Sequence, residues 1–415
     1  MTTNMDTQMT ASAETRILIA SELYLPDRMA GPAAVVVADG AIQAVWRDVD
    51  ASTVQQRGER ELPSPHVTVT DLRPWRIAPG FIDLHTHGLK GHDVTSGPQS
   101  DITAMACDLP RTGVTAFYAS IASTGREETR CQVLRIDAAR RDIARQTAAE
   151  ILGIRLEGPF ISRTKKGAQD EAAIRSPDSM ELDELAELGR VCIVDFAPEE
   201  DHGLRLLAAL NRRGILASIG HTNATYAQAI AALDGGARHC THLFNAMPAI
   251  DHRAPGTVGA LLTDGRATVE VIADGIHLHP ATLRLVVAAR GPRDVALVTD
   301  AVTAAGLPDG THSFGGRTVV LKDGAVRLPD GTLAGSALTL DRAVRNMVTL
   351  AGVGWPDAIR MATLTPASIA GVSDRKGRIQ PGADADLLAL DDKGVIQRVW
   401  TRGHLAYAAG DQSAE

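Results

Sequence analysis

Apolar and polar positions follow two different rhythms along this chain. From Thr15 to about Trp75 the apolar runs are short and broken by turn residues: RILIASELYL, then AAVVVADGAIQAVW with its Asp39-Gly40 turn, then VTVTDLRPWRIAPG. Such runs predict strands. The far end, GRIQPGADADLLALDDKGVIQRVWTRGHLAY, repeats the style, and because chain ends often lie close together the two ends predict one small β-sandwich. Between them, eight apolar runs alternate with helical segments: APGFIDLHTH, GVTAFYAS, ILGIRLEG, VCIVDFAPE, GILASIGHT, ARHCTHLF, TVEVIADGIH and VALVTDA. That order predicts parallel strands with crossover helices, an α/β fold closed into a (β/α)8 TIM-type barrel. Residues 308–335 read as a hairpin insertion after the eighth run and 337–371 as helical. The expected division is a disordered tail over 1–14, the N-terminal part of the sandwich over 15–78, the barrel over 79–375 and the C-terminal part of the sandwich over 376–415.

Composition narrows the partners. A formal net charge of -8 over 415 residues and a pI near 5.9 lack the positive field that nucleic acids or membrane surfaces need, so positive contacts to an anionic substrate must be local. Cys107, Cys131, Cys192 and Cys240 show no CxxC spacing, which points away from a disulfide framework or a zinc-thiolate site. The first fifteen residues lack the order of a signal peptide, and no eighteen-residue apolar run follows. The expectation is a cytoplasmic protein with neither nucleic-acid nor membrane partners.

Most of the eight runs end in His, Glu or Asp, at the barrel face where reactive groups gather. His85 and His87 stand two apart on a predicted strand, so both side chains share a face and can reach one metal. Glu157 follows an apolar strand and precedes a Gly-Pro turn; it is either a metal ligand or a carboxylate satisfied by backbone donors or an arginine. His221 and His242 end the fifth and sixth runs. Asp300 ends the eighth, beside the first when the barrel closes; it can take a proton from an attacking water and return it to a leaving amine, or it can cap a helix. His277 ends the seventh run and is assigned to substrate contact. His66, His92, His202, His239, His252, His279, His312 and His404 are placed on loops, helices or the β domain. Imidazole and carboxylate ligands suit a divalent transition ion, zinc or iron.

The segments PGFIDLHTHG, LEGPF, KKGA, GHTNAT, THLFNAMP, R-x-PG, ADGIH, LVTDA, LAGS and GRIQPGADADLL together resemble the N-acetylglucosamine-6-phosphate deacetylases of the amidohydrolase superfamily. The resemblance implies a barrel with a sandwich built from both chain ends, usually as a homodimer. It implies that Glu157, His221 and His242 hold the principal divalent metal, that His85 and His87 hold a second with Glu157 as bridge, and that one or two ions bind per subunit. Asp300 becomes general base and then general acid for hydrolysis of an acetamide, giving acetate and an amino sugar phosphate. The sugar phosphate is expected to meet the Asn245-Ala246 backbone, Arg253 supplied by a neighbouring subunit, His277 and Leu333 of LAGS. Gln169 departs from the family, which commonly has a substrate-contacting histidine after KKGA, and this leaves the exact sugar or acyl group open. Two other readings stay open: a D-aminoacylase, cyclic-amide hydrolase or nucleobase deaminase, many of which use a carboxylated lysine where Glu157 stands, and a non-catalytic assembly partner, which would be expected to have lost ligands.

Overall fold

The computed structural model describes residues 14–62, 66–143 and 147–410. The tail expected over 1–14 lies, apart from Glu14, outside them.

Each of the eight apolar runs contains one strand of a single parallel sheet: Phe81–Thr86, Val114–Ala122, Glu150–Glu157, Val191–Phe196, Leu216–Ile219, His239–Cys240, Thr268–Ile272 and Val295–Val298. Their near-continuous burial, with Val191–Phe196 and Val295–Val298 as examples, is that of strands covered on both faces. The sheet closes into a barrel where the eighth strand meets the first: the Asp300 amide donates to the His85 carbonyl (2.9 Å) and the His87 amide to that of Ala301 (2.7 Å). Amphipathic helices cover the outside. Arg205–Arg213 buries Leu206, Leu207, Ala209 and Leu210, and it stops at Gly214, whose φ of 66° suits a glycine at a helix end.

The two chain ends do meet. A four-stranded sheet holds Ala41–Arg47, Ala33–Ala38, Thr15–Ala20 and Val67–Asp71; a six-stranded one joins His404–Ala408, Ile396–Thr401 and Leu387–Leu390 to Arg76–Pro79, Glu22–Tyr24 and Met29–Ala30. Leu18, Val35 and Ile77 from the beginning of the chain share one apolar cluster with Leu387 and Trp400 from its end. One element was not expected. Ala51–Glu61 is a helix, capped by the Asp50 carboxylate on the Ser52 amide, and its Val54 packs with Ile17 and Trp46 on the outer face of the four-stranded sheet. With Val54 as the one buried apolar side chain among those described, ASTVQQRGERE carries no readable period.

Beyond the barrel's eighth strand, Gly310–Phe314, Arg317–Lys322 and Ala325–Arg327 form a three-stranded antiparallel sheet, one strand more than a hairpin, and the helices Leu340–Thr349, Trp355–Ala362 and Leu364–Ile369 follow. At the other end of the barrel, buried Lys376 pairs with Glu150, Asp384 and Asp386, tying the start of the third barrel strand to the C-terminal segment. Among the described residues no helix is long and apolar enough to cross a membrane.

Candidate active site

All five expected metal ligands and Asp300 converge at the C-terminal ends of the barrel strands. His85, His87, Glu157 and Asp300 form one buried group whose ligand atoms lie within 4.8 Å of one another; Glu157, His221 and His242 form a second. Glu157 belongs to both. Its Oε1 stands 3.1 Å from His221 Nε2 and 3.0 Å from His242 Nε2, while Oε2 stands 3.1 Å from His87 Nε2. Asp300 Oδ1 is 3.4 Å from His87 Nε2 and 3.6 Å from His85 Nε2.

The backbone holds these groups in place at some conformational cost. His221 has φ 46° and Asp300 φ 48°, and Phe244 and Ala246 in the loop after His242 are also left-handed, a region non-glycine residues seldom enter. Asp300 caps no helix. Its amide and carbonyl are used by His85 and Ser336, and the residues after it form turns.

The donor set fits a divalent cation. His87 Nδ1 donates to the Ser120 carbonyl (2.9 Å) and His221 Nδ1 to the Lys165 carbonyl (3.0 Å), which leaves each Nε2 lone pair aimed at the centre. Nε2 faces Nε2 at 3.0 Å between His85 and His87 and at 3.1 Å between His221 and His242. Opposed lone pairs at that distance repel unless a cation or a proton lies between them. The electrostatics agree. Burial alone would raise the Glu157 carboxyl, but the charge on His85 and the close approach of the His221 and His242 rings hold it well below the carboxylate range. Burial and Arg155 oppose charge on His85, yet Glu157 and Asp300 push it up to about 10; burial likewise opposes charge on His87, and the same carboxylates raise it to about 9. Two buried carboxylates thus draw positive charge to this cluster, whether carried by protons on the histidines or by a cation. For Asp300 too, burial works upward and is outweighed by His85 and His87, so its carboxyl sits below its usual value and is ionised.

Beneath the ligands lies a charged layer that the sequence reading missed. Arg155, fully buried, pairs with both Asp195 oxygens (2.8 and 2.9 Å) and with Glu270 Oε1 (2.6 Å). Glu270 also receives His239 Nε2 (2.8 Å), and its Oε2 is 3.5 Å from His85 Nδ1. His239, placed earlier with loops, helices or the β domain, is instead an interior residue of the sixth strand. Asp83 receives the Thr299 hydroxyl (2.6 Å) across the barrel seam. The signal was present in ILGIRLEG, VCIVDFAPE and TVEVIADGIH: a charge inside an otherwise apolar run implies a buried partner.

The cavity above the ligands is lined by Asn245, Ala246, His277, Leu333 and Gln169, together with Phe314 and Thr332, which the sequence had not marked. His277 Nδ1 is 2.6 Å from Asp274 Oδ2; burial raises the Asp274 carboxyl, but this bond, the charge on His277 and the His277 and Ile276 amides together keep it below its usual value. Phe314, at the tip of the inserted sheet, meets the His87 ring edge-on at 5.5 Å. Gly335, φ 58°, passes so close to Asp300 that a Cβ there would lie 2.7 Å from the Asp300 carbonyl oxygen. Arg253 is not in this cavity. It is exposed and lines a separate depression with Tyr226 and Pro255, and no lysine or arginine lines the cavity among the described residues.

A barrel whose strand ends gather four histidines, a shared glutamate and an aspartate defines a metal-dependent hydrolase site. The amidohydrolase family profile matches residues 76–406, and the chain belongs to that metal-dependent family. It is 36% identical over 400 residues to the N-acetylgalactosamine-6-phosphate deacetylase of Escherichia coli O157:H7, covering 96% of this chain and all of that one. It is 37% identical to the N-acetylglucosamine-6-phosphate deacetylase of Bacillus subtilis over 80% of this chain and 84% of that one. Among solved structures, a mutant N-acetyl-D-glucosamine-6-phosphate deacetylase of Mycobacterium smegmatis in complex with N-acetyl-D-glucosamine-6-phosphate superposes with a TM-score of 0.85 at 32% identity, covering 95% of this chain and 100% of that one. The Thermotoga maritima enzyme of the same name gives 0.82 at 31%, again over 95% and 100%.

Proposed function

We propose that this protein hydrolyses the acetamide of an N-acetyl amino sugar 6-phosphate, N-acetylglucosamine 6-phosphate first, to acetate and the amino sugar phosphate. The observation that carries the reading is the pair of ligand groups sharing Glu157, with the Asp300 carboxylate 3.4 Å from His87 at the same mouth. Glu157, His221 and His242 would hold the principal ion, zinc or iron, and His85 and His87 with Glu157 a second, so two ions per subunit is the count we favour. A bound divalent ion supplies a Lewis acid for the amide carbonyl and lowers the pKa of water.

The chain's own groups do the rest. Asp300, ionised and held by the strained turn, takes the proton of the attacking water and gives it to the departing nitrogen, so that the amine leaves neutral. His277, fixed through Nδ1 by Asp274, turns Nε2 to a sugar hydroxyl, and the Asn245-Ala246 loop and Leu333 line the sugar's path. The phosphate needs a cation that this cavity lacks. Arg253, exposed on its own face of the barrel, suits the planar, bidentate recognition of a phosphate, and we assign it that role from a second copy in a homodimer. Residues 79–375 act as the catalytic barrel and the two chain ends as its sandwich, in a cytosolic setting without nucleic-acid partners.

A second reading concerns the sugar alone. One relative matched over its whole length is an N-acetylgalactosamine-6-phosphate deacetylase, so the C4 epimer is the competing substrate. Rates on the gluco and galacto 6-phosphates and on their unphosphorylated forms test both points. The reading expects a marked preference for a 6-phosphate, lost in Arg253→Ala through a raised KM; equal use of unphosphorylated sugars would remove the phosphate from it.

A further inference from the structure

We propose that Gln169 is a positioning residue for the shared carboxylate of Glu157, and that the loop Lys165–Gln169 clamps the metal site. This rests on the divalent-metal reading above and deepens it. Gln169 is 6% exposed, and both ends of its amide are engaged within the protein. Its Oε1 accepts the Ser123 amide (2.7 Å), and its Nε2 donates to Glu157 Oε2 (2.5 Å). The direction of the amide is fixed by chemistry: a backbone N–H only donates and an ionised carboxylate only accepts, so a flipped amide would set donor against donor and oxygen against oxygen. Ser123 also donates its hydroxyl to the Glu157 carbonyl (3.3 Å), so one residue steadies both Gln169 and the ligand.

The same loop grips a second ligand. The Lys165 carbonyl takes His221 Nδ1, and Gly167, φ 55°, lies so close to the ring that a Cβ would meet His221 Cε1 at 3.3 Å. The loop is itself anchored from the inserted sheet, where Arg317 donates to the Ala168 carbonyl. Glu157 Oε1 faces His221 and His242 and is 3.4 Å from His85 Nε2, and Oε2 faces His87 and Gln169. Rotation of this carboxylate therefore disturbs contacts in both ligand groups, and Gln169 is the uncharged donor that holds it turned toward both. Partners of this kind typically contribute ~10–100-fold to metal affinity.

The test is a zinc titration of the whole metal-stripped protein against a competing chelator, for wild type, Gln169→Met and Gln169→Asn. Methionine keeps the bulk without a hydrogen bond; asparagine keeps the amide but draws it back by one methylene. Both should weaken zinc ~10–100-fold. The melting temperature of the metal-free protein should stay near that of wild type, and KM for the sugar phosphate should be little changed once metal saturates the site. If Gln169→Met does not fold, Gln169→Asn decides. Zinc affinity within about threefold of wild type, with KM raised instead, overturns the inference and returns Gln169 to substrate contact. A wild-type protein that takes up no zinc or iron removes the metal reading itself, and this inference with it.

Discussion

The two carboxylates of the site do different work, and single substitutions separate them. Asp300 touches both outer histidines and carries the proton in our account, so Asp300→Asn should lower kcat ~10²–10⁴-fold with metal content retained, as assay and metal analysis together would report. Near-normal turnover in that variant would take the proton relay away from it. Glu157→Ala should instead lose all bound metal, because both groups meet on it, whereas His85→Ala should lose one ion of two. Equal metal loss in the two variants would speak against Glu157 as the bridge. Much at this scale was legible in the sequence, since each ligand stands at the end of an apolar run and strand ends share one barrel face. What was not legible is what each side chain does with its second hydrogen-bonding atom. Gln169 was assigned to substrate from its neighbours in sequence, while in the fold its amide spans Ser123 and Glu157.

Among elements, the barrel strands are joined across their interior by Arg155, Asp195, Glu270 and His239 from four strands. Arg155→Met fits the space but leaves two carboxylates without their cation, and breaking a buried pair this way typically costs ~3–5 kcal/mol. The denaturant midpoint should fall accordingly, with metal binding weakened as well because Glu270 lies against His85. An unchanged midpoint would show that His239 and water satisfy Glu270 and Asp195 without the arginine. The eight strands themselves were readable because long apolar runs ending in polar side chains recur in step with helices. The helix Ala51–Glu61 was not, because Val54, Arg57 and Gly58 lie against the sheet without an apolar period and its formation is decided by the sheet it covers.

Over the whole molecule, stability and activity should depend on pH through different groups. Burial would raise Glu150, but hydrogen bonds and charge from Arg375 and Lys376 lower it to about 2 from an ordinary 4.5. A depressed carboxyl stabilises the fold fully above its unfolded value and loses that contribution as pH falls, so acid should loosen the tie between the barrel and the C-terminal segment between about pH 4.5 and 2. Glu150→Gln should flatten that part of the stability profile, and an identical acid limb in the variant would place the sensitivity elsewhere. The pairing of the two chain ends into one sandwich was legible from their shared strand style, but the third strand of the inserted sheet was not. The most direct measurement is acetate release from N-acetylglucosamine 6-phosphate by metal-stripped protein before and after zinc or iron is restored. The account predicts none before and, after, acetate and glucosamine 6-phosphate in equal amounts; undiminished release without metal, or no release of acetate from either hexosamine phosphate with it, would contradict it.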